Sequence, residues 1–227
     1  MLTMPTKRAL FLSISGQRYT HRTQLYNRLK KFLPDRFPGK NFEFIGSPFN
    51  RLPFPLVEST EDREDSAATR LMGCWTKLNR FCDKRLRPLL HSEAVIITHG
   101  FGLDALLYAT ACAKCQDEND EAIRLHNGLV HLRLHEQGVE PPEYFITRAN
   151  VRTLDARMMK AMPELAAMAQ SARIKFIRYE ESAIREYFER IKNQKDPHFI
   201  DADDSVQEMV RQVVEVIEKR LRHRAAA

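Results

Sequence analysis

The sequence predicts an α/β fold with three layers, in which helices cover both faces of a central parallel sheet of about five strands. Three observations lead there. Short apolar runs alternate with segments of helical apolar spacing from end to end. No tight hairpin turn joins one run to the next, so the connections are crossovers, as a parallel sheet requires. The clearest run, "AVIITHG" (94–100), sets three β-branched residues together and closes on glycine, the pattern of a buried strand.

The elements follow in order. Ala9 to Ile14 reads as the first strand, ended by Ser15-Gly16. Leu25, Leu29, Phe32 and Leu33 then recur at helical spacing, and the helix is expected to stop before Pro34. "NFEFIG" (41–46) reads as a second strand, followed by the proline-rich "SPFNRLPFPL". Residues 61–91 read as helical, with Leu71, Trp75, Leu78 and Leu86 apolar. After the 94–100 strand, "LDALLYATACAKC" and about 121–136 are helical patterns. "EYFIT" (143–147) is a strand after Pro141-Pro142, and 150–170 is a Met- and Ala-rich helical stretch. "IKFIRYEE" is open between strand and loop; a helix then runs to about Lys192. "HFIDA" (198–202) is the last strand. Ser205 and Glu208 form an S-x-x-E capping box ahead of an apolar stripe at Val206, Val210, Val213, Ile217 and Leu221.

In such a sheet ligands bind beyond the carboxyl ends of the strands. That gathers residues 15–23, 46–51, 98–104 and 148–152 around one crevice. With 227 residues, 43% hydrophobic and 29% charged, the chain is long enough for one domain with a sizeable core. No apolar run approaches the roughly 18 residues of a membrane span. The N-terminus lacks a signal-peptide pattern, which places the expected location in the cytoplasm. The net charge of +6 suits anionic partners. The basic clusters Lys30-Lys31, Lys84-Arg85 with Arg87, and "EKRLRHR" are scattered, so nucleic acid is not the favoured partner.

Four cysteines, Cys74, Cys82, Cys112 and Cys115, read as free thiols. Cys112 and Cys115 are spaced C-x-x-C, with His131 and His135 downstream. They end an apolar helical run and lack a small finger's aromatic, so no metal site is expected. His99 reads as a hydrogen-bonded core histidine at the crevice edge, with a catalytic base as the other reading. The Met residues between 158 and 168 read as core.

The segment after the first strand carries the chemistry. In the frame GxxxxGK[ST] the chain reads Ser15, Gly16, Gln17, Arg18, Tyr19, Thr20, His21, Arg22. Such a loop needs glycines so that backbone amides close on phosphate, a lysine for charge and a hydroxyl for magnesium. The frame glycines, lysine and hydroxyl have become Ser15, Thr20, His21 and Arg22. Thr20 is bulky where a positive φ is expected.

The surroundings nonetheless resemble a known family. "ALFLSISGQRYTHRTQ" is similar, without a gap, to the first strand and phosphate loop of thymidylate kinases, which close in K-[ST]-T-Q; Thr23-Gln24 match. "RPLLHSEAVIITHGFGLDALLY" resembles their third strand and next helix, with Tyr108 in place but His99-Gly100-Phe101 where D-R-[YH] stands. "PPEYFI", "RYEESAIREYFERI" and "FIDADDSVQEMV" resemble the strand before the lid, the helix after it and the terminal strand and helix.

The resemblance implies a single phosphate-loop NTPase domain over 1–227, a lid-like region at about 150–180 and a homodimer. It implies phosphate-binding candidates at Gly16, Arg18, His21, Arg22 and Thr23. Nucleoside-binding candidates fall at Arg51, Trp75, Arg80 and Tyr179. Trp75 is where the family stacks the base, though a tryptophan on a helical face is more often core than a stacking platform. The arginine four residues later falls on Asn79, with Arg80 one place and about 100° off. Arg51 lies beside Asn50 and Pro48 in the counterpart of F-P-x-R. Gln17 replaces a loop acid.

The expected function is a divergent thymidylate-kinase-like protein that binds a nucleotide or other phosphorylated small molecule with little or no phosphotransfer. One alternative is an active kinase, using ATP and magnesium, in which Arg18, Arg22, Arg148, Arg152 and Arg157 replace the lost groups. The other is a nucleic-acid- or protein-binding module on the same scaffold.

Overall fold

The computed structural model describes residues 8–46, 67–115, 135, 138–190 and 196–226. Five parallel strands form one sheet in the order β2-β3-β1-β4-β5. They are β1 (Leu10–Gly16), β2 (Phe42–Ile45), β3 (Val95–His99), β4 (Glu143–Arg148) and β5 (His198–Asp201). The described helices are α1 (Arg22–Arg36), α2 (Ala67–Phe81), α3 (Arg87–Leu90), α4 (Gly102–Cys115), α5 (Val151–Ala161), α6 (Gln170–Arg190) and α7 (Val206–Ala226). From β1 the chain goes to one side of the sheet; from β3 it crosses to the other. The carboxyl ends of these two neighbours therefore flank the switch point, where an open α/β sheet has its crevice.

β1 is buried on both faces, so its alternation sorts two cores. Leu10, Leu12 and Ile14 pack with Leu25, Leu29 and Leu33 of α1 and Met209, Val213 and Ile217 of α7. Phe11 packs on the other side with Trp75 and Leu78 of α2, Leu106 of α4 and Ile184 and Tyr187 of α6. Ser13 and Ser15 lie on Phe11's side, fully buried, and their hydroxyls meet at 3.0 Å.

Several elements depart from sequence expectation. β1 continues through Ser15 to Gly16, because both residues pair with β4. α1 runs past Pro34 to Arg36. Pro34 and Lys30 are exposed, so the Lys30 carbonyl that loses its amide partner faces water. "IKFIRYEE" is wholly helical within α6. Arg173, Phe176, Ile177, Glu180, Ala183, Ile184 and Tyr187 are the buried positions of α6, and that spacing is a helical stripe. Helical structure over 150–170 is broken: α5 ends at Ala161 and a 3₁₀ turn spans Pro163–Ala167. A π-helical turn, Cys82–Leu86, interrupts the 67–90 helical stretch. The expected helix over 121–136 lies outside the described residues, save His135. The terminal capping box is half formed: Ser205 Oγ accepts from Glu208 N at 3.2 Å, but the Glu208 carboxylate turns to Arg211.

The region around 150–180 is fastened from within. Arg173 Nε donates to Asp155 Oδ1 at 2.7 Å, and its Nη1 donates to the carbonyls of Leu165 (3.2 Å) and Met168 (2.6 Å). The hydrogen bond from Arg173 holds the Asp155 carboxyl below its ordinary range. The pair therefore stabilises fully above the unfolded carboxyl's pKa, about 4, and its contribution is lost as pH falls below that. Arg173→Ala strands a buried carboxylate and is expected to cost about 3–5 kcal/mol in urea unfolding at neutral pH. The deficit should shrink toward the acid end of that titration.

Candidate functional site

The chain leaves β1 at Gly16 because β4 lies too close for any other residue. Gly16 has φ +127°, and a Cβ there would sit 2.3 Å from the Thr147 carbonyl oxygen. The next turn is stitched to the same strand. Gln17 N donates to the Thr147 carbonyl at 3.1 Å, and Gln17 Oε1 accepts from Ala149 N at 3.4 Å. Thr20 is buried; its hydroxyl donates to the Gln17 carbonyl at 2.6 Å and meets the Thr147 hydroxyl at 2.7 Å. The left-handed backbone expected at Thr20 falls on its neighbours instead, Tyr19 (φ 60°) and His21 (φ 58°). Each such non-glycine residue carries about 1–3 kcal/mol of backbone strain.

The charged side chains of the loop meet carboxylates supplied by the chain itself. Asp104, in the first turn of α4, accepts from Ser15 Oγ at 2.7 Å and from Phe101 N at 3.1 Å, and it forms an ion pair with Arg22 Nη1. Gly100 (φ +82°) lets that carboxylate approach; a Cβ there would lie 2.9 Å from Asp104 Oδ2. Glu180 of α6 reaches Arg18 twice: its Oε2 accepts from Arg18 N at 3.3 Å, and its Oε1 lies 3.6 Å from Arg18 Nε. Burial pushes the Glu180 carboxyl up, opposed by Arg18.

His21 stands where a phosphate loop has lysine. Burial, then Arg157, lower its pKa, so it is neutral at pH 7. His99 is lowered as well, by burial and by Arg22, against Asp104; its Nε2 lies 3.4 Å from Thr23 Oγ1 and its ring packs on Tyr26. Arg157 donates to the carbonyls of Tyr19 (3.4 Å) and Ala202 (2.8 Å). The Arg148 guanidinium lies 4.3 Å over the Phe199 ring, and Arg152 is exposed.

Gly16, Arg18, His21, Arg22 and Thr23 thus come together at the switch point. The nucleoside candidates do not gather there in the same way. Trp75 is 3% exposed, within the core between α2, α4 and the sheet. Arg80 is exposed. The half-buried Tyr179 ring is flanked by Lys114 Nζ at 5.2 Å and Lys175 Nζ at 5.6 Å. Arg51, with Asn50 and Pro48, lies outside the described residues, as do His131 and the side chains of Tyr108, Cys112 and Cys115. Cys74 and Cys82 are buried free thiols, Cys82 pushed up to about 12 by burial, which makes them unreactive.

Asp104 and Glu180 were not anticipated as site residues. Glu180 left a signal, because an acid stands on the apolar stripe of α6. Asp104 left a weaker one, an acid three residues into a helix start. ATP with magnesium, which the resemblance implies, fits these residues poorly. Arg22 holds the place of the hydroxyl that would ligate magnesium, and the nearby Asp104 carboxylate is paired with Arg22 and Ser15.

No family model and no curated protein matches the chain. Solved structures do. A thymidylate kinase from Ehrlichia chaffeensis aligns over 92% of this chain and 99% of its own, with a TM-score of 0.59 and 15% identity. A deoxyadenosine kinase from M. mycoides with bound dATP aligns over 91% and 98%, with a TM-score of 0.60 and 12% identity. The chain shares the fold of these thymidylate and deoxyadenosine kinase structures, a five-stranded parallel sheet flanked by helices. Among the described residues no helix is long and apolar enough to cross a membrane.

Gly16→Ala tests the backbone constraint. It is expected to cost about 3 kcal/mol or more, from left-handed strain plus the clash with β4, read as a lowered urea midpoint with an unchanged m-value.

Proposed function

We propose that this chain is a divergent thymidylate-kinase-like protein that binds a nucleotide or another phosphorylated ligand at the β1–α1 loop and transfers phosphate slowly or not at all. One observation carries this reading. Both loop arginines are paired with carboxylates of the chain, Arg18 with Glu180 and Arg22 with Asp104, while the lysine position holds a histidine kept neutral.

Phosphoryl transfer depends on positioning and on charge that stabilises the transition state. An arginine already paired with a buried carboxylate brings little net charge to a polyphosphate. Losing one such contact commonly costs ~100- to 1000-fold in rate, and here the lysine, the hydroxyl and the unpaired charge are lost together. Binding needs less. The loop sits at the switch point of a fold whose deoxyadenosine kinase example holds dATP, and Arg18 remains one-fifth exposed.

The alternative of relocated arginines has less support: Arg157 is engaged with backbone carbonyls and Arg148 with Phe199. A homodimer belongs to the same proposal, and light scattering after gel filtration reads it directly.

Two measurements test the reading. In a thermal-shift panel with and without magnesium, at least one nucleotide should raise the melting temperature, as a native-state ligand must. In a coupled assay with ATP, magnesium and thymidylate, turnover should stay at background. Rates of about 1 per second or above, the usual kinase range, would overturn the loss of transfer. A panel without any shift would overturn binding.

A further inference from the structure

Glu180 lies on the buried stripe of α6, with Phe176, Ile177, Ala183, Ile184 and Tyr187 before and after it. An acid placed there is costly unless its charge is used. Here it is used on the loop. One carboxylate oxygen takes the Arg18 amide and the other faces the Arg18 guanidinium. An amide and a guanidinium offered together are what an anionic ligand seeks in such a turn.

We propose that the Glu180 carboxylate is a built-in competitor for the phosphate loop, holding the Arg18 amide and guanidinium that a tetrahedral oxyanion must take over to bind. This rests on the reading that the loop is a phosphate site. It adds that the site is closed from inside by α6 and opens when Glu180 withdraws or takes up a proton.

The surrounding charges make the competition direct. Glu180 is faced by Arg18 and Tyr19 from the loop, Arg22 from α1 and Asp104 from α4. A phosphate placed there would be a third anion shared by two arginines. Asp104 is fixed by Ser15, Phe101 N and Arg22, whereas among the described residues the Glu180 carboxylate is held through the longer 3.3 and 3.6 Å contacts to Arg18. Glu180 is therefore the one that yields. Burial already pushes its carboxyl up, so mild acid favours the neutral form that releases Arg18.

The test is isothermal titration of inorganic pyrophosphate into wild type, Glu180→Gln and Glu181→Gln at about pH 8, chosen roughly four units above an ordinary carboxyl because burial pushes Glu180 up. Glu181 is exposed, so its variant removes the same charge without touching the loop. Glu180→Gln is expected to bind about tenfold tighter than both of the others. Equal affinity in all three overturns the competitor while leaving the phosphate site standing, and so does an equal gain in Glu181→Gln. No binding by any of them overturns both. If Glu180→Gln does not unfold cooperatively, Glu180→Asp, whose shorter side chain draws the carboxylate back from Arg18, must show the tightening; an unchanged affinity there also overturns the proposal.

Discussion

The Asp104 carboxylate is the contact on which the crevice depends. It ties the end of β1 through Ser15, the start of α1 through Arg22 and its own helix start through Phe101 N. A partly buried carboxylate with three polar partners is well satisfied, and removing any partner would leave charge unpaired in a low-dielectric setting. The approach of the α4 start to β1 is set by it. Gly100, donating to the Ile14 carbonyl at 2.9 Å, leaves the space in which the carboxylate sits.

Around that contact the molecule neutralises its own loop. Arg18 comes from the β1–α1 connection and Arg22 from the first position of α1, while Asp104 and Glu180 come from two helices on the same side of the sheet. α4 and α6 therefore bring two anions to the loop. The hydroxyl of Thr20, turned inward on Gln17 and Thr147, strengthens the same tendency. The loop is held by polar contacts within the protein, and its backbone keeps left-handed residues at Tyr19 and His21 without glycine. Strain of this kind persists only where surrounding contacts over-determine it. Here those contacts are the Thr147 and Ala149 backbone on one side and Arg157 on the other.

The stretch over 150–180 follows the same logic. It is secured by Arg173 bridging Asp155 and two carbonyls, and by Tyr19 of the loop donating to Met162 Sδ at 2.9 Å. Leu154, Met158, Leu165 and Phe176 form its buried cluster, with Met159, Met162, Met168 and Tyr19 packed against it, so the methionines fill the space between this stretch and the loop.

Much of this was legible in the residues. Five apolar runs without hairpin turns determined a parallel sheet, because period and connection length leave few other arrangements. The Ser15-Gly16 break placed the loop, and the Ser205 cap placed the last helix. The residues misread were those whose local pattern competes with packing. "IKFIRYEE" is short and mixed enough to read as strand or loop, yet its buried set is helical once α4 lies beside it. Pro34 stays within α1 because the carbonyl it deprives points to solvent. What the loop does with its charge was beyond the sequence. Arg18 and Arg22 are separated from Glu180 and Asp104 by 162 and 82 positions, and only the folded sheet brings them within reach. Composition supplied the charges; tertiary structure decided which are spent on each other, since electrostatic pairing depends on distance in space and burial, neither of which is local in the chain.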